Sequence, residues 1–382
     1  MSSGSIYLDY AAATPVDNQV LKAMMPYFSE QFFNPSADYL LARKVKADLI
    51  NARSEVAHCL GVKASEIIFT AGGTEANNLA IKGVMDQYPK AKILVSAVEH
   101  ESVLSPAEKY DHVKVGVDKF GRVDLSHLTK SIDDLTVLVS VMYANNEVGT
   151  IEPIKQIAQT IQKIREERRS KGNKLPLLFH SDACQAANFL DLHVSRLGVD
   201  LMTLNGGKIY GPKQSGALFV RSGVILRPII DGGGQETNLR SGTENVAGII
   251  GFTRALSLAQ QDRTNQTKDI SKLRDYFIYS LSNTFKDKVT INGSVSLRLP
   301  NNVHATFEGA DNERLLIKLD SLGIMAAAGS ACSASNEESS HVLLAMGLSD
   351  KDARSSIRFS LGKGNSKAQI DKVVKALQTL VD

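Results

Sequence analysis

Short apolar runs alternate with stretches of helical periodicity through most of the first 260 residues, and this alternation constrains the fold more than any other feature of the chain. The strand-like runs are Glu66–Thr70, Lys92–Ser96, Thr136–Met142, Leu175–His180 and Asp200–Leu204. Helix candidates such as Glu75–Met85 and Ile154–Arg169 lie between them. Strands alternating with helices predict an α/β domain built on a mainly parallel sheet. In such sheets ligands sit at the carboxyl ends of the strands, where the loops begin.

The pattern then changes. Glu244 to Phe285 reads as a long polar helical connector between lobes. Two strand-like pieces follow, Val289–Asn292 and Asn302–Phe307, then a helix over Asp311–Leu322. Ser356–Ser360 and a closing helix, Lys367–Leu380, complete a smaller α+β lobe. The expected division is a large domain over 15–260 and a small domain formed by 1–14 with 261–382. The mixed-sign run Lys163–Lys171 reads as a solvated helix end.

Composition narrows the function classes. The hydrophobic fraction of 43% and charged fraction of 22% are ordinary for a soluble globular protein. A net charge of only +3 gives no general case for nucleic-acid or membrane binding. No stretch approaches the ~20 apolar residues of a membrane span, and the opening Met1–Ser5 has no basic run before an apolar one, so no secretory signal is expected. Three scattered cysteines, Cys59, Cys184 and Cys332, form no CxxC pair and argue against a disulfide framework or a zinc site. A reducing cytoplasm is the expected location, with no metal.

Three segments carry chemistry. In Phe69-Thr-Ala-Gly-Gly-Thr-Glu75 a strand gives way to a small-residue turn, and a helix opens at Thr74-Glu75. Free N–H groups and the helix dipole make that turn a phosphate seat, to which Thr74 adds a hydroxyl. A plain tight turn with Thr74 as an N-cap accounts for the same residues. No GxxxxGK[ST] loop occurs, since Gly211-Pro-Lys-Gln-Ser-Gly216 is followed by Ala217, and no strand is followed by GxGxxG. Nucleoside triphosphates and NAD lose ground accordingly. Asp182 and Lys208 each lie just beyond a strand-like run. Pyridoxal phosphate (PLP) needs such a pair, an amine for a Schiff base and a carboxylate to keep the pyridine nitrogen protonated. A surface lysine and an Asp turn residue are the alternative. Finally, Ala328-Gly-Ser-Ala-Cys-Ser-Ala-Ser335 surrounds Cys332 with small and polar residues, a setting for a reactive rather than an inert thiol.

His180-Ser-Asp-Ala-Cys-Gln-Ala186 and Asn205-Gly-Gly-Lys-Ile-Tyr-Gly-Pro-Lys213 resemble the cofactor segments of class V aminotransferase-fold enzymes, and within them the cysteine desulfurases of the NifS/IscS type. The likeness runs from Tyr7-Leu-Asp-Tyr-Ala-Ala-Ala-Thr-Pro15 to Ser355-Ser-Ile-Arg-Phe-Ser-Leu-Gly362. It implies the PLP-dependent aminotransferase-like fold (fold type I) and a homodimer. By position, Lys208 resembles the Schiff-base lysine, Asp182 the pyridinium partner and Gln185 the bond to the ring's phenolic oxygen. Gly73, Thr74 and Asn205 would hold the phosphate, with Thr243 of Arg240-Ser-Gly-Thr243 reaching in from a second subunit. His100 matches the histidine that stacks on the ring and shuttles protons, and Asn146 an asparagine at the cofactor. Arg358, helped by Asn34, would bind the substrate carboxylate. Cys332 matches the thiol that takes sulfur from L-cysteine, leaving L-alanine and a persulfide for an acceptor or scaffold protein in iron–sulfur cluster assembly or tRNA thiolation. Cys59 and Cys184 are expected to be packing residues.

The chain departs from this pattern in two places. The family usually carries Ser-Gly-His before the lysine, where this chain has Asn205-Gly206-Gly207, and often Glu-Pro-Ser after the cysteine, where it has Glu338-Ser-Ser340. A selenocysteine lyase or another PLP-dependent β-lyase of the same fold is the alternative enzyme, and a catalytically weakened scaffold subunit the remote one.

Overall fold

A computed structural model describes residues 4–329 and 339–381. The chain begins with the short strand β1 (Ile6–Tyr7). One seven-stranded sheet follows from β2 (Ile67–Thr70), β3 (Lys92–Ser96), β4 (Asp111–Val115), β5 (Thr136–Ser140), β6 (Leu178–Asp182), β7 (Leu201–Asn205) and β8 (Gly216–Val220), in the order β2-β8-β7-β6-β5-β3-β4. Strands β4, β3, β5, β6 and β7 run parallel, and β8 runs antiparallel to both β2 and β7. The mainly parallel sheet expected from the alternation is thus present, with one reversed strand that periodicity cannot reveal.

Helices cover both faces, so adjacent residues of one strand enter different cores. Ile67 and Phe69 join one core and Ile68 the other; Phe219 likewise opposes Leu218 and Val220. One face is closed by helices Leu40–Leu60, Ile154–Ser170 and Val246–Gln261 through Val56, Ile157 and Phe252. Helix Gly73–Gln87 closes the other through Leu79, Ile81 and Val84. Burial on both faces explains why these strands read as continuous apolar runs.

A separate core gathers Ile6, Leu8, Phe277, Phe307, Leu319, Phe359 and Leu377. Its sheet consists of β9 (Val289–Ile291), β10 (Asn302–Phe307) and β12 (Ser356–Ser360), antiparallel in the order β12-β10-β9, while β11 (Ile324–Met325) pairs with β1 in parallel. A parallel bridge from Asp9 to Ser360 joins the N-terminal segment to β12.

Three expectations are corrected. The connector is two helices, Val246–Gln261 and Arg263–Phe285, and the first is no polar spacer: Phe252, Ala255, Leu256 and Ala259 bury it in the large core. β6 begins at Leu178, beyond Pro176, and ends at Asp182 instead of stopping before it. The mixed-sign run Lys163–Lys171 is not wholly solvated, since Arg168 is buried and donates to the Thr136 and Asp133 carbonyls. Among the described residues no helix is long and apolar enough to cross a membrane.

Candidate active site

Where β2 ends, Ala71 and Gly72 turn the chain, and Gly72 takes φ +124°, a conformation that favours glycine. The helix starts at Gly73, a residue earlier than Thr74. A Cβ on Gly73 would lie 2.7 Å from Cys184 Sγ. The turn therefore depends on small residues so that free N–H groups can face the space beyond. Gly73 and Thr74 line a cavity of about 280 Å³, together with His100, Asp182, Lys208 and Arg358.

Asp182, the last residue of β6, is buried and held at both oxygens. Asn77 Nδ2 donates to Oδ2 (2.7 Å) and the Cys184 N–H to Oδ1 (2.9 Å). Asn77 Nδ2 also donates to Ser102 Oγ (2.8 Å), which lies 2.8 Å from His100 Nδ1. The Ser102 backbone N–H donates to the same Nδ1 (3.0 Å). A backbone N–H can only donate, so Nδ1 is the acceptor and the neutral ring carries its proton on Nε2. Burial lowers the His100 pKa, which favours that neutral form. The sequence reading missed Asn77 and Ser102. Their signal is faint: Asn77 sits four residues after Gly73, on the same helix face.

Lys208 follows β7 by one 3₁₀ turn, Gly206–Lys208. Its Nζ donates to the carbonyls of Ala11 (2.9 Å) and Ala12 (2.6 Å). Burial is the main cause of a pKa below the ordinary lysine value. Gln185 Nε2 donates to the same Ala11 carbonyl (3.0 Å), and Asn205 Oδ1 accepts from the Gly207 N–H (3.0 Å). Cys184 also lines the cavity, but burial, reinforced by Asp182, pushes its thiol well above the usual range. It is poorly suited to act as a nucleophile.

Arg358, on β12, is only 2% exposed, so it is no surface residue of an edge strand. Nη2 pairs with Asp9 (2.7 Å) and Nη1 donates to the Asn146 carbonyl (3.0 Å). Its Nε, like Asn77 Oδ1, is buried with no hydrogen-bond partner among the described residues. Ala327 pairs with Arg358 through backbone bonds in both directions, five residues before Cys332. Cys332 itself lies outside the described residues.

The cavity thus gathers Gly73, Thr74, His100, Asn146, Asp182, Gln185, Asn205, Lys208 and Arg358. Two expected residues are not brought there. Asn34 is exposed, its Oδ1 accepting from the Ser36 N–H (2.9 Å), and Thr243 is exposed outside the cavity of its own chain. Among the described residues, no three His, Cys, Asp or Glu side chains gather as metal ligands.

The family model for aminotransferase class-V matches residues 6–373. This chain belongs to that family. It is 42% identical to a cysteine desulfurase IscS of Dictyoglomus turgidum, over 99% of this chain and 94% of the relative. Among solved structures it resembles a NifS-like protein at 33% identity and a TM-score of 0.90, with 99% of each chain covered. It also resembles SspA in complex with cysteine, at 33% identity and a TM-score of 0.79 over 94% of this chain and 99% of that one. The NifS/IscS resemblance and the aminotransferase-like fold are therefore upheld across nearly the whole length of this class-V family member.

Proposed function

We propose that this chain is a PLP-dependent cysteine desulfurase that converts L-cysteine to L-alanine and holds the sulfur as a persulfide on Cys332. The observation that carries the reading is one cavity faced by a part-buried lysine amine, a strand-end carboxylate and a helix N-terminus. The residues fit the cofactor. Gly73, whose Cβ would lie 2.7 Å from Cys184 Sγ, keeps the helix start bare, and Asn77 and Arg358, which carry the unpartnered Oδ1 and Nε, line the same cavity.

Bound PLP supplies an electron sink for the charge released when the substrate's Cα–H bond breaks. Lys208 would tether the cofactor, and its lowered pKa suits an amine that must be free of its proton to react. Asp182, fixed by Asn77 and the Cys184 N–H, would hold the proton of the ring nitrogen. Gly73, Thr74 and Asn205 would receive the phosphate at the helix N-terminus. His100, neutral with its proton on Nε2, would stack on the ring and move protons, and Asn146 and Gln185 would complete the ring's setting. Lys208 Nζ would move the α-proton of the substrate, whose carboxylate Arg358 would grip.

Cys332 would attack the substrate sulfur as thiolate: an S–S bond forms, the Cβ–S bond breaks, and the departing carbon takes a proton to give alanine. The D. turgidum relative and the cysteine complex of SspA support this substrate. The persulfide would pass to an acceptor or scaffold protein in iron–sulfur cluster assembly or tRNA thiolation. A cytoplasmic homodimer, with Thr243 and Asn34 completing sites, and a small domain of 1–14 with 261–382 against a large one of 15–260 belong to the same reading.

The test is incubation of the PLP-loaded protein with L-cysteine, quantifying alanine and locating the added sulfur by mass spectrometry. We expect alanine with a persulfide on the Cys332 peptide, and loss of both in Cys332→Ala. Undiminished turnover by that variant would overturn the mechanism, and alanine formed only from selenocysteine would make the chain a selenocysteine lyase.

A further inference from the structure

Gly207 leaves the peptide before Lys208 without a side chain, yet the space beside it is occupied. A Cβ built on Gly207 would lie 3.5 Å from both Asn205 Oδ1 and Lys213 Cγ and 3.8 Å from Lys213 Cα, so Asn205 and the Lys213 stem flank it. The Lys213 stem therefore covers the region into which a residue at 207 would project. Among the described residues its Nζ has a single weak anchor, the Thr14 carbonyl at 3.3 Å.

That stem borders a second, open cavity of about 570 Å³ that shares Ala12, Gly73, Thr74, Asn205 and Lys208 with the first. The shared wall is the amino end of the helix Gly73–Gln87. Glu75 also lines this space, but its carboxylate is engaged by Arg240 Nε at 3.0 Å. Lys82 is the other lysine on this wall besides the tethering one. It stands nine residues into the helix, about 13 Å along the axis from Gly73. A phosphate dianion seated at Gly73 and Thr74 needs more positive charge than a helix terminus supplies, which is about half an elementary charge. Lys213 is the cation placed to supply it.

We propose that Lys213 binds the cofactor phosphate, reaching across the bare backbone of Gly207 and doing there what a cationic or donor side chain at 207 would do. The assignment rests on the PLP reading above and extends it to a residue outside the expected site. For this the Lys213 ammonium turns away from the Thr14 carbonyl into the cavity that its stem lines. A charge-assisted hydrogen bond then replaces a long bond to a neutral carbonyl.

The test compares PLP with pyridoxal, which lacks the phosphate. Both are titrated into cofactor-free protein while the absorbance of the lysine-bound form is followed. In Lys213→Ala the PLP dissociation constant should rise about 10-fold, with pyridoxal unchanged. Lys213→Arg should recover most of the loss, Gly207→His should restore PLP affinity in the Lys213→Ala background, and Lys82→Ala should have no effect. PLP affinity unchanged in Lys213→Ala, or an equal loss for both compounds, would overturn the assignment while leaving the function intact. A wild-type chain that takes up neither compound overturns the function and this role together.

Discussion

Replacing Arg358 with lysine tests the site most sharply, because it keeps the charge and removes only the fork. The guanidinium makes an ion pair with Asp9 through Nη2 and a hydrogen bond to the Asn146 carbonyl through Nη1, and its Nε has no partner among the described residues. A lysine ammonium is a single point on a flexible stem and cannot serve Asp9, Asn146 and a substrate carboxylate together. The ion pair would hold the ammonium, because removing one partner of a buried pair costs roughly 3–5 kcal/mol. Asp9, whose side chain is 19% exposed, relieves part of that cost through water. The Asn146 carbonyl then loses its donor, for about 1–2 kcal/mol of stability.

The larger effect falls on substrate. A hydrogen bond to a charged group is worth about 1.5–3 kcal/mol, so KM for cysteine should rise roughly 10- to 100-fold. If the grip on the carboxylate is equal in ground and transition states, kcat changes little. Initial rates of alanine release across cysteine concentrations measure the first effect, and urea unfolding at constant m-value the second. A KM within twofold of wild type alongside reduced stability would mean that Arg358 only ties Asp9 to Asn146. The carboxylate assignment would then be wrong.

Lys208→Ala should abolish the absorbance of lysine-bound cofactor and slow alanine formation at least about 100-fold; an unchanged spectrum would mean that another amine holds the cofactor. Glu152, which accepts from the Val123 N–H, is pushed by burial from 4.5 to about 8. The folded chain therefore keeps a proton on Glu152 that the unfolded chain releases, and the contribution of this group to stability should fall as pH rises from roughly 5 to 8, by about 1.4 kcal/mol per unit. Glu152→Gln should shift the slope of stability against pH upward by that amount relative to wild type, and equal slopes for the two proteins in urea unfolding across this range would contradict the shift. Gly216→Ala would place a Cβ 2.5 Å from the Leu204 carbonyl oxygen and 2.9 Å from Gly72 Cα. Both are backbone atoms behind the cavity, so it should cost about 1–3 kcal/mol and weaken PLP binding; an unaltered melting temperature would refute the packing argument.

What the sequence revealed follows from how each contact is encoded. Asp182 and Lys208 were legible because a strand-end residue announces itself by the apolar run before it. Thr74 was legible because a strand–turn–helix is local. The single-strand reversal at β8 was not, since Gly216–Val220 shows the same buried run whichever way it points. The connector misled because one polar average was taken across the break at Asp262, which separates a buried helix from a half-exposed one. Asn77 escaped notice because its role depends on Ser102 and Asp182, which only the packed sheet brings to it.

Least legible was the part played by the N-terminal segment, since its partners lie hundreds of residues away. Asp9 pairs with Arg358, the Ala11 carbonyl accepts from both Lys208 and Gln185, and Ala12 accepts from Lys208 again. Thr14 then bonds to the Gly207 carbonyl and, through its own carbonyl, to Lys213. Four residues, Asp9 to Ala12, thus connect the amine at the end of the large sheet to the guanidinium on the small one. Composition gives no hint of this, because Ala11 and Ala12 act through their backbone alone. The spacing of the Lys208 amine and the Arg358 guanidinium is thus held by this strap together with the bond from Arg358 Nη1 to the Asn146 carbonyl. An insertion between Asp9 and Ala12 would break the bonds that this segment makes to the Lys208 amine and the Arg358 guanidinium together.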